Sequence, residues 1–244
     1  MPHRRERNHR PVQHGPLIEF GTEALRRNLE DLNWLEEKVR LHESIVELAQ
    51  VRGPLLPMKF GTIFLEPEKI RALIRKNAPI LQTAIEALRE KEEWGVKGFA
   101  DPAILHAAVI RNNPALLTLS AEASTKPPGQ AFFLKRKMEK IAFTKTQERQ
   151  EALAREALEA IQKTVVEFTE SPPLLPEAGR GETIVLNLAA LVRRDGLETF
   201  HAALDQWNRH HAAEGVRLVT SGPWPPYHFV PRLNDASPEP SRSH

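Results

Sequence analysis

Apolar residues recur at helical spacing near the start of the chain. They lie three, four or seven positions apart, at Leu25, Leu29, Leu32, Val39 and Val46. This spacing predicts a helix, and a second set on a rotated face predicts that the helix is bent or buried on two sides. Gly53-Pro54 should end it, because glycine and proline both interrupt helices.

A looser alternation follows in residues 55–64, LLPMKFGTIF, and predicts a strand with Pro57 at its start or edge. The next segment carries an apolar stripe that predicts a helix, and Pro79 should kink it or divide it in two. The stripe consists of Ile70, Leu73, Ile74, Leu81, Ile85 and Leu88. Together these elements predict a small N-terminal α+β domain over residues 16–92.

Strand and helix patterns alternate in the second half of the chain. Strands are predicted at residues 93–100, 183–192 and 216–221. Asp101 should cap the helix that Pro102 opens. The order of strand, helices, strand, helix and strand is an α+β pattern, and it predicts a split β-α-β sheet covered on one face. We assign residues 93–231 to this second domain.

Two helices of this half have strong patterns. Residues 130–170 form the longest periodic stretch and contain no glycine or proline, which predicts one long helix that projects or packs on a partner. Residues 195–214 are also predicted to be helical. One side of that helix carries Leu197, Phe200, Leu204 and Trp207.

The segment SGPWPPYHF, residues 221–229, is rich in proline and aromatic residues. Proline lacks the backbone N–H that a central strand or a helix needs, so we predict an extended strap that closes the second domain. Trp224 should enter the core beside the helix over 195–214, because tryptophan is highly buried on average. The alternative is an exposed binding patch, since exposed tryptophan and tyrosine are typical interface anchors.

Composition narrows the class of protein. The chain of 244 residues is 41% hydrophobic and 27% charged, which suits a globular protein. Its 34 basic and 32 acidic side chains nearly balance, so bulk charge does not indicate nucleic acid as a partner. There is no cysteine, which excludes disulfides and thiolate chemistry. The basic residues 1–15 are predicted to be a disordered arm, and residues 232–244 a flexible tail.

The sequence contains only weakly supported candidates for catalytic or metal-binding residues. Gly179-Arg-Gly181 is too short for a phosphate loop and precedes a strand. His210 and His211 are about 100° apart on a helix, so they should be a solvated pair and not ligands of one metal. Glu92-Glu93 beside Trp94 is interpreted as a charged strand entry. We therefore expect no enzyme, cofactor or metal site.

One cluster combines aromatic and basic residues, FFLKRK at 132–137, with Lys140 and Lys145 beyond it. Aromatic rings beside a basic helix, together with the basic arm at residues 1–15, could bind single-stranded nucleic acid or an anionic surface. The favoured interpretation is a helix with its aromatic residues in the core and its lysines in water, because Glu139 and Glu148 interrupt the positive charge.

Four stretches together resemble the gas vesicle accessory proteins called GvpL/GvpF. They are LPMKFGTIF at 56–64, EWGVKGF at 93–99, AFFLKRK at 131–137 and SGPWPPYHF at 221–229. The last is the most specific, because Trp-Pro-Pro-Tyr after Gly-Pro at a strand end is rarely met by chance. The resemblance covers about residues 19–231.

The resemblance implies a two-domain α+β protein with a ferredoxin-like C-terminal domain and no enzymatic activity. It implies a cytoplasmic and gas vesicle location, and contacts with the small shell protein and with other accessory proteins. Family members normally start with a further strand, so the N-terminal sheet is expected to lack a strand or two. The motif residues, structural or partner-binding, are Phe60, Gly61, Trp94, Phe132, Phe133, Arg136, Gly222, Pro223, Trp224, Pro225, Pro226, Tyr227 and Phe229.

Overall fold

The structure, a computed structural model, describes residues 17–171 and 181–233, which form two compact units. The second unit runs from Lys91 to Trp224, and the residues before and after it make up the first. Residues 225–233 therefore belong with the first unit, whereas the second domain was predicted to extend to residue 231. The predicted arm at 1–15 and the tail from 234 on lie outside the described residues.

The first unit is helical where it is described. Its helices are α1 (Leu17–Phe20), α2 (Thr22–Asn28), α3 (Leu32–Gln50), α4 (Pro67–Lys76) and α5 (Ala78–Leu88). The predicted bent helix is thus two helices, because Asp31 caps a new start by accepting hydrogen bonds from the N–H groups of Asn33 and Trp34. The alternative of two helices divided near Pro79 is confirmed, since Pro79 lies in the first turn of α5.

The strand predicted at residues 55–64 is wrong. The segment is irregular and reverses direction in a turn, where Lys59 O accepts from Thr62 N at 3.2 Å and Gly61 has φ +83°. Pro54 and Pro57 also lack the N–H groups that a ladder would need. Because the described part of this unit contains no strand, the predicted α+β character of the N-terminal domain is wrong there.

An antiparallel sheet organises the second unit. The described strands are β1 (Lys91–Ala100), β2 (Glu167–Glu170), β3 (Thr183–Arg193) and β4 (Val216–Trp224). They lie in the order β2-β3-β1-β4, so β1 is central and pairs with β3 and β4. The three predicted strands are confirmed, and β4 is longer than expected. Strand β2 was not predicted, because the helical pattern of residues 130–170 extends through it.

Four helices connect these strands: α6 (Pro102–Asn112), α7 (Pro114–Thr125), α8 (Pro128–Gln162) and α9 (Leu197–His211). Asp101 caps α6 as predicted, accepting from the N–H groups of Ala103 and Ile104. The long helix α8 is confirmed but ends at Gln162. There Thr164 turns the chain by donating its hydroxyl and its N–H to Ile161 O, and the β-branched residues that follow lead into β2.

The core lies between one face of this sheet and two helices. It contains Val96, Leu188, Ala190, Val192, Leu153, Ala157, Ile161, Phe200, Leu204 and Trp207. The predicted apolar side of α9 supplies three of them, whereas the helix α8 supplies only residues from its second half. Gly98 lets the strands pack closely, because a Cβ there would lie 3.0 Å from Leu186 Cβ. The first half of α8 is therefore outside the main core.

Candidate interaction surfaces

The C-terminal motif SGPWPPYHF divides between the two units. Its first half ends β4, where Ser221 lies opposite Gly95 and Trp224 opposite Glu93 of β1. The sheet order makes β4 an edge strand, and an edge is where a strand tolerates Pro223. Gly222 has φ +134°, and a Cβ there would lie 3.1 Å from Glu93 O. The structure thus brings the motif stretches at 93–99 and 221–224 together in one sheet.

Trp224 does not enter the core, so the predicted strap with a buried Trp224 is wrong. The side chain is 45% exposed, and its Nε1 donates to Ser221 Oγ at 3.0 Å. A Cβ on Gly95 would lie 2.8 Å from that hydroxyl oxygen, so the glycine leaves room for the pair. The physical reason is the register of β4, which carries Trp224 to the end of an edge strand, away from α9.

The second half of the motif lies in the first unit. Pro225 and Pro226 are buried, and Tyr227 to Phe229 form a half-exposed 3-10 turn. The Tyr227 ring lies 6.5 Å from the His42 ring on α3. This half of the motif therefore packs beside α3 within the first unit.

His42 also contacts the motif stretch at 56–64. Its ring lies 5.7 Å from the Phe60 ring, edge to face, and its Nε2 lies 3.2 Å from Met58 O. Phe60 and Tyr227, far apart in sequence, are thus held by one histidine on α3. Burial raises the pKa of the Tyr227 hydroxyl, and the carboxylates of Glu43 and Glu47 add to the effect, so Tyr227 stays neutral.

We predict that Tyr227→Ala lowers the free energy of unfolding of the first unit by about 1–2 kcal/mol, because a half-buried ring and its aromatic contact are lost. Amide hydrogen exchange in α3, followed by mass spectrometry, should accelerate by about tenfold. Tyr227→Phe keeps the ring and serves as the control, with little change expected. Unchanged exchange in Tyr227→Ala would show that the turn is not docked on α3.

Trp94 is a sheet residue at the edge of the core. Its ring meets the His201 ring of α9 at 4.8 Å, edge to face, and its Nε1 donates to Glu92 Oε2 at 3.4 Å. Glu92 also pairs with Arg194 at 3.2 Å. Glu93, the next residue, is buried. The two glutamates thus differ: one belongs to a charged strand entry, as interpreted, and the other is enclosed.

The aromatic residues at the start of α8 are exposed. Phe132 is 58% exposed, Phe133 73% and Phe143 61%. The favoured interpretation, with Phe132 and Phe133 in the core, is therefore wrong, because the core residues of α8 (Leu153, Ala157 and Ile161) all come from its second half. Arg136 is exposed on the first half.

A partly buried ion cluster was not predicted from the sequence. Arg149 on α8 donates two hydrogen bonds to Glu214 and one to Glu156, each 2.7 Å long. His211 on α9 is buried against them, with Nδ1 2.9 Å from Glu214 Oε1, so the predicted solvated pair is wrong for His211. The Arg149 guanidinium, with a smaller effect from His211, lowers the pKa of Glu214 to about 2. The cluster joins α8 to the end of α9.

Metal sites and membrane-spanning helices can be assessed for residues 17–171 and 181–233. No group of three or more histidine, aspartate or glutamate side chains is placed there so that it could hold a metal ion. None of the helices in these ranges has the length and apolar content required to cross a membrane.

Comparison with known proteins decides the family. The sequence pattern described as "Gas vesicle synthesis protein GvpL/GvpF" matches residues 11–231. The chain belongs to the GvpL/GvpF family. The predicted resemblance is thereby confirmed, and it places the chain among gas vesicle proteins.

Curated relatives agree with this family. Gas vesicle protein F of Streptomyces sp. (strain CB03234) is 32% identical over 207 residues, which cover 82% of this chain and 80% of the relative. Gas vesicle protein L of the same strain is 29% identical over 233 residues, which cover 91% and 82%. Gas vesicle protein L2 of Halobacterium salinarum is 26% identical, with 84% and 74% covered.

Solved structures show the GvpF fold. The crystal structure of GvpF from Anabaena sp. PCC7120 matches with a TM-score of 0.60 at 20% identity, covering 78% of this chain and 76% of that one. GvpF from Microcystis aeruginosa matches over the same shares with a TM-score of 0.54 at 18% identity. The mixed helix and antiparallel sheet architecture of this GvpL/GvpF chain is thus shared with both.

Proposed function

We propose that this chain is an accessory protein of gas vesicle assembly that binds the small shell protein and other accessory proteins. The observation that carries the proposal is the family match over residues 11–231, together with curated relatives named gas vesicle proteins L and F. A shell that encloses gas needs a strongly apolar inner face, so its free subunit is prone to aggregate. An accessory protein that holds the subunit before assembly would prevent this.

The structure contributes surfaces that suit such a role. The family motif segments lie on the central strand β1, at the edge strand β4, beside α3 in the first unit and on an exposed face of α8. Edge strands and exposed helix faces are the elements with which proteins commonly capture another chain. Among the described residues the motif positions do not form a catalytic cluster, and we propose a binding role in the cytoplasm and at the vesicle, without catalysis or cofactor.

The second unit also supports a finer fold assignment. Its elements follow the order β1, helices, β2, β3, α9, β4, and β1 lies between β3 and β4. A β-α-β-β-α-β chain with this strand order is the arrangement of ferredoxin-like domains. We therefore propose a ferredoxin-like second unit, in which α8 takes the place of the first helix and extends well beyond the sheet.

Co-expression with the small shell protein tests the proposed function. We expect the shell protein to remain in the supernatant and to elute with this chain, because its apolar face is covered. An unrelated soluble protein of similar size, expressed in the same way, is the control. If the shell protein precipitates equally with both, and no complex elutes, the holding role is wrong.

A second candidate function gains support from one observation. The exposed rings of Phe132 and Phe133 lie beside basic residues on α8, as in proteins that bind nucleic acid or an anionic surface. Affinity for an oligothymidine that falls steeply with salt would favour it, since phosphate contacts release counterions. The basic arm that was also assigned to this role lies outside the described residues.

A further inference from the structure

The first half of α8 presents an outward face that combines three phenylalanines with cations. On a helix of 3.6 residues per turn, Phe132, Arg136, Lys140 and Phe143 lie on one side, and Phe133 borders them. The opposite side of the same half is the one that packs, with Leu134, Met138 and Ala142 at least partly buried. The phenylalanines therefore point away from the packing of their own unit.

The cations on this face and on its two flanks have no counter-charge within the described part of the chain. None of Lys135, Arg136, Lys137 and Lys140 lies within 4.0 Å of a described carboxylate, whereas Lys145 farther along pairs with Glu148 at 2.7 Å. Glu139, the acidic residue nearest to them, faces His106 of α6 at 3.8 Å. The face is thus locally basic although the chain as a whole is nearly neutral.

The arrangement around the helix axis indicates the kind of partner. At about 100° per residue, Arg136 and Lys140 form the most outward row, with Phe132 and Phe143 on one side and Phe133 on the other. A helix that lies on a bilayer has the opposite arrangement, with aromatic residues at the centre and cations at the flanks. Insertion of these rings into lipid would also place Arg136 and Lys140 in the lipid.

Single-stranded nucleic acid fits the face less well than a protein does. Such ligands are bound in positively charged grooves that follow the phosphate backbone. The face on α8 is the convex side of a single helix. Convex helix surfaces pack instead against another helix, whose side chains fill the spaces between theirs.

We propose that this face, residues 132–143 of α8, docks an amphipathic helix of a partner protein. The matching helix carries a central row of carboxylates that pair with Arg136 and Lys140. Apolar residues beside that row cover Phe132, Phe133 and Phe143. The face spans about three turns, or roughly 16 Å, so the partner helix needs at least that length. The inference names a partner class for the accessory role and in that respect depends on the proposed function.

A synthetic helical peptide tests the match. It carries glutamate at every fourth position flanked by leucine, and a second peptide has lysine in place of each glutamate. We expect the full chain to bind the glutamate peptide at least about tenfold more tightly than the lysine peptide, as measured by fluorescence anisotropy. Equal binding of the two peptides, or no binding of either, would overturn the proposal.

Charge reversal locates the binding on α8. Arg136→Glu with Lys140→Glu should weaken binding of the glutamate peptide by about tenfold or more and should create affinity for the lysine peptide. The control, Arg155→Glu with Lys163→Glu, makes the same change in net charge in the second half of α8 and at its C-cap, and should alter affinity by less than about twofold. Equal effects of the two pairs would show that the site is elsewhere.

The apolar flank and the other partner classes need separate measurements. Phe132→Ser with Phe143→Ser should weaken binding of the glutamate peptide to a similar degree, since the rings supply the contact area.

Vesicles of phosphatidylcholine and phosphatidylglycerol in equal parts, and oligothymidine, are titrated in parallel to test the other partner classes. If either binds through Arg136 and Lys140 more tightly than the peptide, the partner class is wrong. Because no shell protein is used, peptide binding can succeed where co-expression fails, and the reverse.

Discussion

Trp207→Ala is expected to lower the free energy of unfolding of the second unit by about 3–5 kcal/mol. Trp207 is 7% exposed on α9, lies among the core residues that cover the sheet and meets the His211 ring at 4.3 Å. Replacement by alanine removes most of a large buried side chain and leaves a cavity that the rigid sheet and α8 fill only in part. Chemical denaturation followed by far-UV circular dichroism measures the loss.

Trp224→Ala is the matched control, because it is the same substitution in the same unit. Trp224 is 45% exposed at the end of β4, so the expected loss is less than about 1 kcal/mol. Equal losses in the two variants would mean that Trp224 packs as Trp207 does, contrary to the geometry. A small loss in Trp207→Ala would mean that α9 is not a core helix.

Tryptophan burial shows what periodicity can and cannot predict. Trp207 lies on a helical stripe with Phe200 and Leu204, and that pattern alone predicted its face correctly. Trp224 has no such pattern, and the average burial of tryptophan was used in its place. Its exposure depends on which strand ends at the edge of the sheet, and that depends on pairing with a strand more than a hundred residues away.

The strands show the same limit. Residues 93–100 and 183–192 are rich in residues that favour strands, and both were predicted. Residues 55–64 alternate almost as well, yet no partner strand is present for them in the described part of their unit. Strand β2 is only four residues long and follows a long helical pattern, so its helix was extended through it. A strand is stabilised by its neighbour, and the neighbour is not visible in a local pattern.

The sequence identified the residues of the candidate surfaces but not which of them contact one another. The resemblance identified the motif stretches that contain Phe60 and Tyr227, and the structure shows that His42 holds both. His42 was not singled out, because a single histidine on a charged helix carries no local signal. The exposed rings on α8 were assigned to the core for a related reason: an apolar residue on a helix is usually buried, and only the packing shows which half of a long helix is covered.

Glu214→Gln is expected to destabilise the second unit by about 1–3 kcal/mol at neutral pH, because Arg149 and His211 lose the carboxylate that pairs with both. The cluster is only partly buried, which keeps the cost below that of a fully buried pair. Glu148→Gln removes the carboxylate of an exposed pair with Lys145 on the same helix and is the control. It should cost less than about 0.5 kcal/mol.

The pH dependence of the same pair has a definite sign. The pKa of Glu214 falls from 4.5 to about 2 in the folded chain, so the folded state holds the ionised carboxyl more strongly than the unfolded state does. Its stabilisation is complete above pH 4.5 and is lost as the pH falls from 4.5 towards 2. We expect the free energy of unfolding of the parent chain to fall by about 1–2 kcal/mol more than that of Glu214→Gln across this window. Parallel curves for the two proteins would show that Arg149 does not hold Glu214 ionised, and that α8 and α9 are joined by the apolar core alone.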